Sequence, residues 1–127
     1  MYKILIAEDN LVNQMVARIH LEKLGHCVHL ASNGLEAFED FKSKDYDLIF
    51  MDIQMPEADG FQSTALIREY EKRTSKTFKI PIIAMTANAM KTDKEQCIAA
   101  GMDDYISKPF TAEAIKAILR KYAKTHV

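Results

Sequence analysis

Five side chains that can bind a cation or a phosphoryl group stand at the ends of short strand-like segments. Glu8 and Asp9 follow the first segment, Asp52 follows the third, and Thr86 and Lys108 follow the last two. Three carboxylates held close together repel one another and need a cation, and Mg²⁺ with oxygen ligands and retained waters suits them. A carboxylate in such a site can act as a nucleophile and hold an aspartyl phosphate, which a hydroxyl and an ammonium group would contact. The residue types therefore predict phosphoryl chemistry on an aspartate.

Five predicted strands must position these side chains. The clearest is residues 48–51, a continuous apolar run between carboxylates that is too short for an ordinary helix and typical of a buried central strand. Pro56 forbids a helix directly after this strand, and Asp59 with Gly60 supplies a turn. The other strands are predicted at residues 2–7, 27–31, 82–85 and 104–107.

Helices are predicted between the strands from polar caps, apolar spacing and terminal glycines. The first covers about residues 11–24, the second follows a cap at Ser32 or Asn33, and two more cover about residues 61–72 and 91–100. In the first helix, helical spacing is seen for Val12, Met15, Val16, Ile19 and Lys23. In two other helices, a stripe of residues is predicted to face the core. The stripe of the second helix is Leu35, Phe38 and Phe41, and that of the last helix is Ala112, Ile115, Ile118, Leu119 and Tyr122.

The alternation of strands and helices predicts an α/β fold with a parallel sheet, right-handed crossovers and helices on both faces. The carboxyl ends of parallel strands meet at one edge, where ligands bind. The five polar side chains all fall on that edge, so we expect them to form one site. A chain of 127 residues is expected to make a single domain, residues 1–127.

Composition excludes several other classes of function. A net charge of −1 gives no electrostatic reason to bind nucleic acid or an anionic membrane. There is no apolar run of about 20 residues and no secretory signal after Met1, so we expect a cytoplasmic protein. Cys27 and Cys97 lack metal-binding or redox spacing and are expected to be buried, reduced thiols.

Four motifs in order resemble the receiver domain of two-component response regulators, along nearly the whole chain. They are Glu8-Asp9-Asn10, the segment from Met51 to Pro56 with Asp59-Gly60, Met85-Thr86-Ala87, and Lys108-Pro109-Phe110. The amino-acid sequences around the first and third motifs are most similar to those of receivers of hybrid histidine kinases and phosphorelays. The resemblance implies a flavodoxin-like doubly wound (βα)5 fold with strand order 2-1-3-4-5.

The resemblance also implies a role for each site residue. Asp52 would accept phosphate from a phosphohistidine. Mg²⁺ would be bound by Asp9, Asp52 and the backbone carbonyl of Gln54, with Glu8 holding the ion through water. The remaining implied roles are contact with the phosphoryl group for Thr86 and Lys108, the aromatic switch for Tyr105, and tuning of hydrolysis for Gln54 and Asn88.

The implied partners are a histidine kinase or a histidine phosphotransfer protein as donor, and an effector protein as reader. We expect the effector to read the surface of the fourth helix, fifth strand and fifth helix, through Thr86 and Tyr105. The receiver geometry also implies a cis bond between Lys108 and Pro109. The protein would be a signalling switch that catalyses only its own phosphorylation and slow dephosphorylation, either alone or within a longer protein.

Two other functions fit the architecture less well. A Mg²⁺-dependent aspartyl-phosphate phosphohydrolase would need a general acid two residues after the nucleophile, where this chain has the uncharged amide of Gln54. A flavodoxin-like electron carrier would need a Ser/Thr/Gly-rich phosphate loop after the first strand, where Glu8 and Asp9 would repel a flavin phosphate.

Overall fold

The first strand of the chain lies inside a five-stranded parallel sheet of order β2-β1-β3-β4-β5. The structure, a computed structural model, describes residues 2–55, 59–74, 79–86, 91–107 and 111–122, with only the backbone of residues 91–93. The sheet confirms the predicted α/β class and the strand order. Its strands are β1 (Lys3–Ala7), β2 (Cys27–Ala31), β3 (Leu48–Asp52), β4 (Ile82–Thr86) and β5 (Asp104–Ser107).

Each helix begins close to its predicted start. Asn10 caps α1 by accepting the N–H of Asn13, and Asn33 caps α2, so the second of the two candidate caps is the one used. Asp59 and Gln62 form a reciprocal capping box at the start of α3. The helices are α1 (Leu11–Lys23), α2 (Gly34–Ser43), α3 (Gly60–Arg73), α4 (Lys91–Ala99) and α5 (Ala112–Tyr122).

Strands β3 and β4 are buried along their full length, as expected for the centre of a doubly covered sheet. Alternate strand residues point to opposite faces, so the sheet divides the core into two clusters. One cluster packs α1 and α5 against residues such as Ile6 and Phe50, and the other packs α2, α3 and α4 against residues such as Leu5 and Met51. The predicted inward residues Ile115, Ile118 and Leu119 of α5 are buried.

The helical spacing noted in α1 does not mark its buried face. Val12 is 67% exposed and Met15 60% exposed, whereas the buried positions are Gln14, Ala17 and Leu21. Two stripes of this helix have helical spacing, and the one with the small Ala17 packs against the sheet. Gln14 is tolerated on that face because its amide group has a backbone partner. The apolar side chains on the other stripe therefore form an exposed face.

Two expectations about burial were wrong. Leu35 is 44% exposed because the face of α2 that packs on the sheet consists of Gly34, Ala37 and Phe41. Cys27 is exposed because it begins β2, which is an edge strand, whereas Cys97 is buried as expected. In the described part of the chain, Cys27 and Cys97 are not joined by a disulfide bond.

A partly buried ionic network joins α3 to the amino ends of β4 and β5. The Arg68 guanidinium donates from Nη1 to Glu71 Oε1 at 2.9 Å and to the Ile80 carbonyl at 2.8 Å. It also donates from Nη2 to Asp103 Oδ2 at 2.7 Å and from Nε to the Gly101 carbonyl at 2.9 Å. One side chain thus fixes a helix and two loops at the edge of the sheet opposite the carboxyl ends of the strands.

Candidate phosphoryl and metal site

The three predicted carboxylates come together at the carboxyl edge of the sheet. Glu8 and Asp9 follow β1, and Asp52 ends the neighbouring strand β3, which pairs with β1 through Ala7 and Met51. One carboxylate oxygen from each of the three lies within 4.8 Å of the other two. Glu8 is 1% exposed and Asp52 4% exposed, whereas Asp9 is open to solvent. An incoming group can therefore approach the cluster from the side of Asp9.

Hydrogen bonds to backbone groups orient the two buried carboxylates. Glu8 Oε2 accepts the N–H of Asn10 at 3.1 Å, and Asp52 Oδ1 accepts the N–H of Gln54 at 3.1 Å. Each carboxylate is thus tied to the loop that follows its own strand. Three carboxylates with oxygen donors only are the ligands that a hard divalent cation prefers, so the residues present fit Mg²⁺.

The start of α3 packs directly on the strand end that carries Asp52. The N–H of Gly60 donates to the Ile53 carbonyl at 3.3 Å. A Cβ atom on Gly60 would lie 2.3 Å from the Asp52 carbonyl oxygen, closer than two such atoms can approach. Glycine at this position therefore allows the start of α3 to pack against the backbone of Asp52.

The predicted switch pair lies on one face of the sheet beside the carboxylates. Thr86 is the last residue of β4 and is buried, and Tyr105 of β5 is half-buried. Tyr105 pairs with Ala84, two residues before Thr86, so alternation places both side chains on the same face. The Lys94 ammonium of α4 lies 5.6 Å from the centre of the Tyr105 ring. This distance is within the range of a cation–π contact.

Hydrogen bonds join the carboxyl-terminal turn of α5 to the start of β5. The Tyr122 hydroxyl donates to Asp104 Oδ2 at 2.8 Å, and the Lys121 ammonium contacts the same oxygen at 3.1 Å. Burial alone would raise the pKa of Asp104, but bonds from the Tyr105 N–H, Tyr122 and Lys121 outweigh it and hold the pKa below its ordinary value. These bonds hold α5 to Asp104, the residue before Tyr105.

Three of the predicted roles fall partly or wholly outside the described residues. Lys108, its bond to Pro109, and Asn88 all lie outside the ranges that the structure describes. Gln54 is described, and its side chain is exposed two residues beyond Asp52. The tuning of hydrolysis by Gln54 and Asn88 stays a prediction.

One residue of the site was missed at the level of sequence. Gln14 is 5% exposed on α1, and its side-chain amide donates to the carbonyl of Glu8. Its position among apolar residues gives a weak signal, because a buried amide needs a partner, but nothing in the sequence names a backbone carbonyl as that partner.

A known family matches this combination of parallel sheet and acidic edge. The family described as response regulator receiver domain matches residues 4–120. The chain belongs to this family.

Relatives and solved structures agree with the family. A rice (Oryza sativa subsp. indica) protein named probable histidine kinase 1 is 42% identical over 149 residues, which cover 94% of this chain and 15% of the relative. The chain therefore spans only a small part of that relative's length. Among the described residues, no helix is both long enough and apolar enough to cross a bilayer. The cytoplasmic location stays a prediction.

Two solved structures are similar over almost the whole chain. The receiver domain of a Pseudomonas aeruginosa sensor histidine kinase, with a magnesium ion coordinated in its active-site cleft, is 40% identical with a TM-score of 0.86, and the match covers 97% of this chain and 98% of that one. The receiver domain of Ssk1 in complex with the Saccharomyces cerevisiae histidine phosphotransfer protein Ypd1 is 33% identical, with a TM-score of 0.91 and coverage of 98% and 90%.

Proposed function

We propose that this receiver domain, taken as residues 1–127, accepts a phosphoryl group on Asp52 and acts as a signalling switch. The observation that carries the proposal is the cluster of Glu8, Asp9 and Asp52 within 4.8 Å at the carboxyl edge of the sheet. Asp9 and Asp52, with the backbone carbonyl of Gln54, would hold Mg²⁺, and Glu8 would hold it through water. Bound Mg²⁺ would offset the negative charge of the carboxylates and of the incoming group.

The chain's own residues prepare Asp52 for attack. The Gln54 N–H holds Oδ1 at 3.1 Å, which fixes the rotation of the carboxylate. A carboxylate oxygen forms a bond to phosphorus as the bond from phosphorus to the donor's imidazole nitrogen breaks. The imidazole leaves with the bonding electron pair. Thr86, buried at the end of the adjacent strand, would donate its hydroxyl to a phosphoryl oxygen.

Phosphorylation of Asp52 is the direct test. Wild-type protein incubated with acetyl phosphate and Mg²⁺ should gain one phosphoryl group in intact-mass analysis, and Asp52→Asn should gain none. Chelation of Mg²⁺ should abolish labelling, because the phosphoryl group brings a charge of about −1.5 to −2 into the carboxylate cluster. Asp45→Asn removes an exposed carboxylate elsewhere and should label like wild type.

Equal labelling of the wild type and Asp52→Asn would reject the assignment. A protein phosphodonor can be examined in the same assay with phosphorylated Ypd1, the phosphotransfer protein bound to the yeast structural neighbour. The exposed apolar face of α1, which contains Val12 and Met15, would give such a donor a surface on the helix that begins two residues after Asp9.

The effector would read the surface formed by α4, β5 and α5. If the Thr86 hydroxyl turns toward a bound phosphoryl group, it leaves space on the face that it shares with Tyr105. The tyrosine ring can then turn inward and away from the Lys94 ammonium. Moving an equilibrium from 1:99 to 99:1 needs about 5.5 kcal/mol, and two hydrogen bonds to a charged group, from Thr86 and Lys108, supply about 3–6 kcal/mol.

Loss of the Thr86 hydroxyl should therefore uncouple the switch. Thr86→Ala should still bind beryllofluoride, a phosphoryl mimic, but should lose most of the amide NMR shifts that the wild type shows along α4 and around Tyr105. Thr74→Ala removes an exposed hydroxyl at the end of α3 and is the matched control. Full wild-type shifts in Thr86→Ala would contradict the coupling.

A further inference from the structure

We propose that Gln14 is a positioning residue for the Mg²⁺ site, an inference that rests on the proposed function. Its side chain is 5% exposed on the face of α1 that packs against the sheet, beside Ala17 and Leu21. The acceptor of its amide group is the main-chain carbonyl of Glu8. A carbonyl can only accept, so the Nε2 group must be the donor.

The bond acts on two residues of the metal site together. The Glu8 carbonyl belongs to the peptide group that joins Glu8 to Asp9, and a peptide group is planar. Fixing the direction of this carbonyl therefore restricts the orientation of both flanking α-carbons, from which the two carboxylate side chains extend. One hydrogen bond from Gln14 can set the approach of both carboxylates to Asp52.

Several hydrogen bonds hold the acidic turn, residues 8–10, and the Gln14 side chain is the group of α1 that holds its central carbonyl. The Glu8 N–H donates to the Ala31 carbonyl of β2 at 2.9 Å, which anchors the start of the turn. The Asn10 N–H donates to the Glu8 carboxylate at 3.1 Å, and the Gln14 N–H donates to the Asn10 carbonyl at 3.0 Å. The Glu8 carbonyl in the middle of the turn is held by the Gln14 side chain.

A buried amide is costly on an apolar helix face unless it is bonded. Methionine has similar length and volume and would pack at this position without a hydrogen-bond donor. Gln14→Met therefore removes the hydrogen bond while it keeps the packing. Arg18→Met is the matched control, because it introduces methionine one turn further along α1, where Arg18 is exposed and pairs with Glu22.

The experiment measures Mg²⁺ affinity by isothermal titration calorimetry on the unphosphorylated protein. Gln14→Met should bind Mg²⁺ about tenfold more weakly than wild type, the low end of the effect of residues that orient metal ligands. Arg18→Met should stay within about twofold of wild type, because an exposed pair does not orient the ligands. At saturating Mg²⁺, the acetyl phosphate labelling rate of Gln14→Met should reach the wild-type rate, since the nucleophile is unchanged.

Unchanged Mg²⁺ affinity in Gln14→Met would overturn the inference, and so would a lower labelling rate that saturating Mg²⁺ does not restore. If Gln14→Met does not fold, an NMR titration of the wild-type protein with Mg²⁺ tests the role of Gln14. Its Gln14 side-chain amide resonance should shift during Mg²⁺ titration with the same midpoint as the Asp9 amide, and an unmoved resonance would reject the role. Failure of the wild type itself to bind Mg²⁺ would instead reject the proposed function.

Discussion

Gly60→Ala is expected to destabilise the domain by about 3 kcal/mol, in the upper part of the range for overpacked sites. The added Cβ would lie 2.3 Å from the Asp52 carbonyl oxygen and 2.9 Å from the Cα of Ile53. Both contacts are with backbone atoms, so no flexible side chain can move aside. Either α3 or the end of β3 must shift, and the second shift would displace the nucleophile.

The same substitution should slow phosphorylation of Asp52 by about 100-fold, the effect of a displacement of about 1 Å at a reacting group. Urea denaturation gives the stability change, and intact-mass kinetics with acetyl phosphate give the rate for the folded fraction. Gly25→Ala is the control, because Gly25 has a φ of 89° and nothing lies within 4 Å of its added Cβ.

Gly25→Ala should cost about 1–2 kcal/mol through backbone strain alone and should leave the rate unchanged. Because Gly25→Ala lowers stability without changing the site, it shows how much of the effect of Gly60→Ala on the rate comes from destabilisation alone. The remainder comes from displacement of Asp52. A Gly60→Ala protein that was labelled at the wild-type rate would contradict the assigned role of the close approach.

Arg68→Met is expected to lower the free energy of unfolding by about 3–5 kcal/mol, as when one partner of a buried ion pair is removed. The substitution leaves the buried Glu71 and the partly buried Asp103 without their shared cation. It also removes the donors to the Ile80 and Gly101 carbonyls. Since whole domains are stable by only about 5–15 kcal/mol, the variant should be close to the limit of folding.

Arg18→Met provides the comparison for Arg68→Met. Arg18 and Glu22 form an exposed pair at 3.2 Å, which should contribute less than about 0.5 kcal/mol. Urea denaturation of both variants, with m-values compared, tests the difference. Equal losses of stability in the two variants would show that burial of the Arg68 network contributes nothing.

The strands and the acidic cluster could be predicted because both depend on short-range patterns. The apolar run before Asp52 is too short for an ordinary helix and therefore predicts a buried strand. The parallel topology then places Glu8 and Asp9 on the same edge of the sheet as Asp52. The buried face of α1 does not follow from apolar spacing alone. Two stripes with helical spacing compete there, and the sheet selects the one with Ala17 by its small volume, a tertiary property.

The interactions of Arg68 and Gln14 could not be predicted for a further reason. Both side chains donate to main-chain carbonyls, and every residue of the chain carries such a carbonyl. The partner therefore has no signature in the sequence. A buried polar residue in a helix indicates that a partner exists, but only the packing of the elements identifies it.

The strand order has a consequence for synthesis on the ribosome, where the amino-terminal part of a chain emerges first. β1 pairs with β2, β3 then adds to the free side of β1, and β4 and β5 add outward in turn. Each new strand finds an edge that earlier segments have already made available. Asp52 completes β3, so the acidic half of the site can assemble while Thr86 and the outer strands are still being translated.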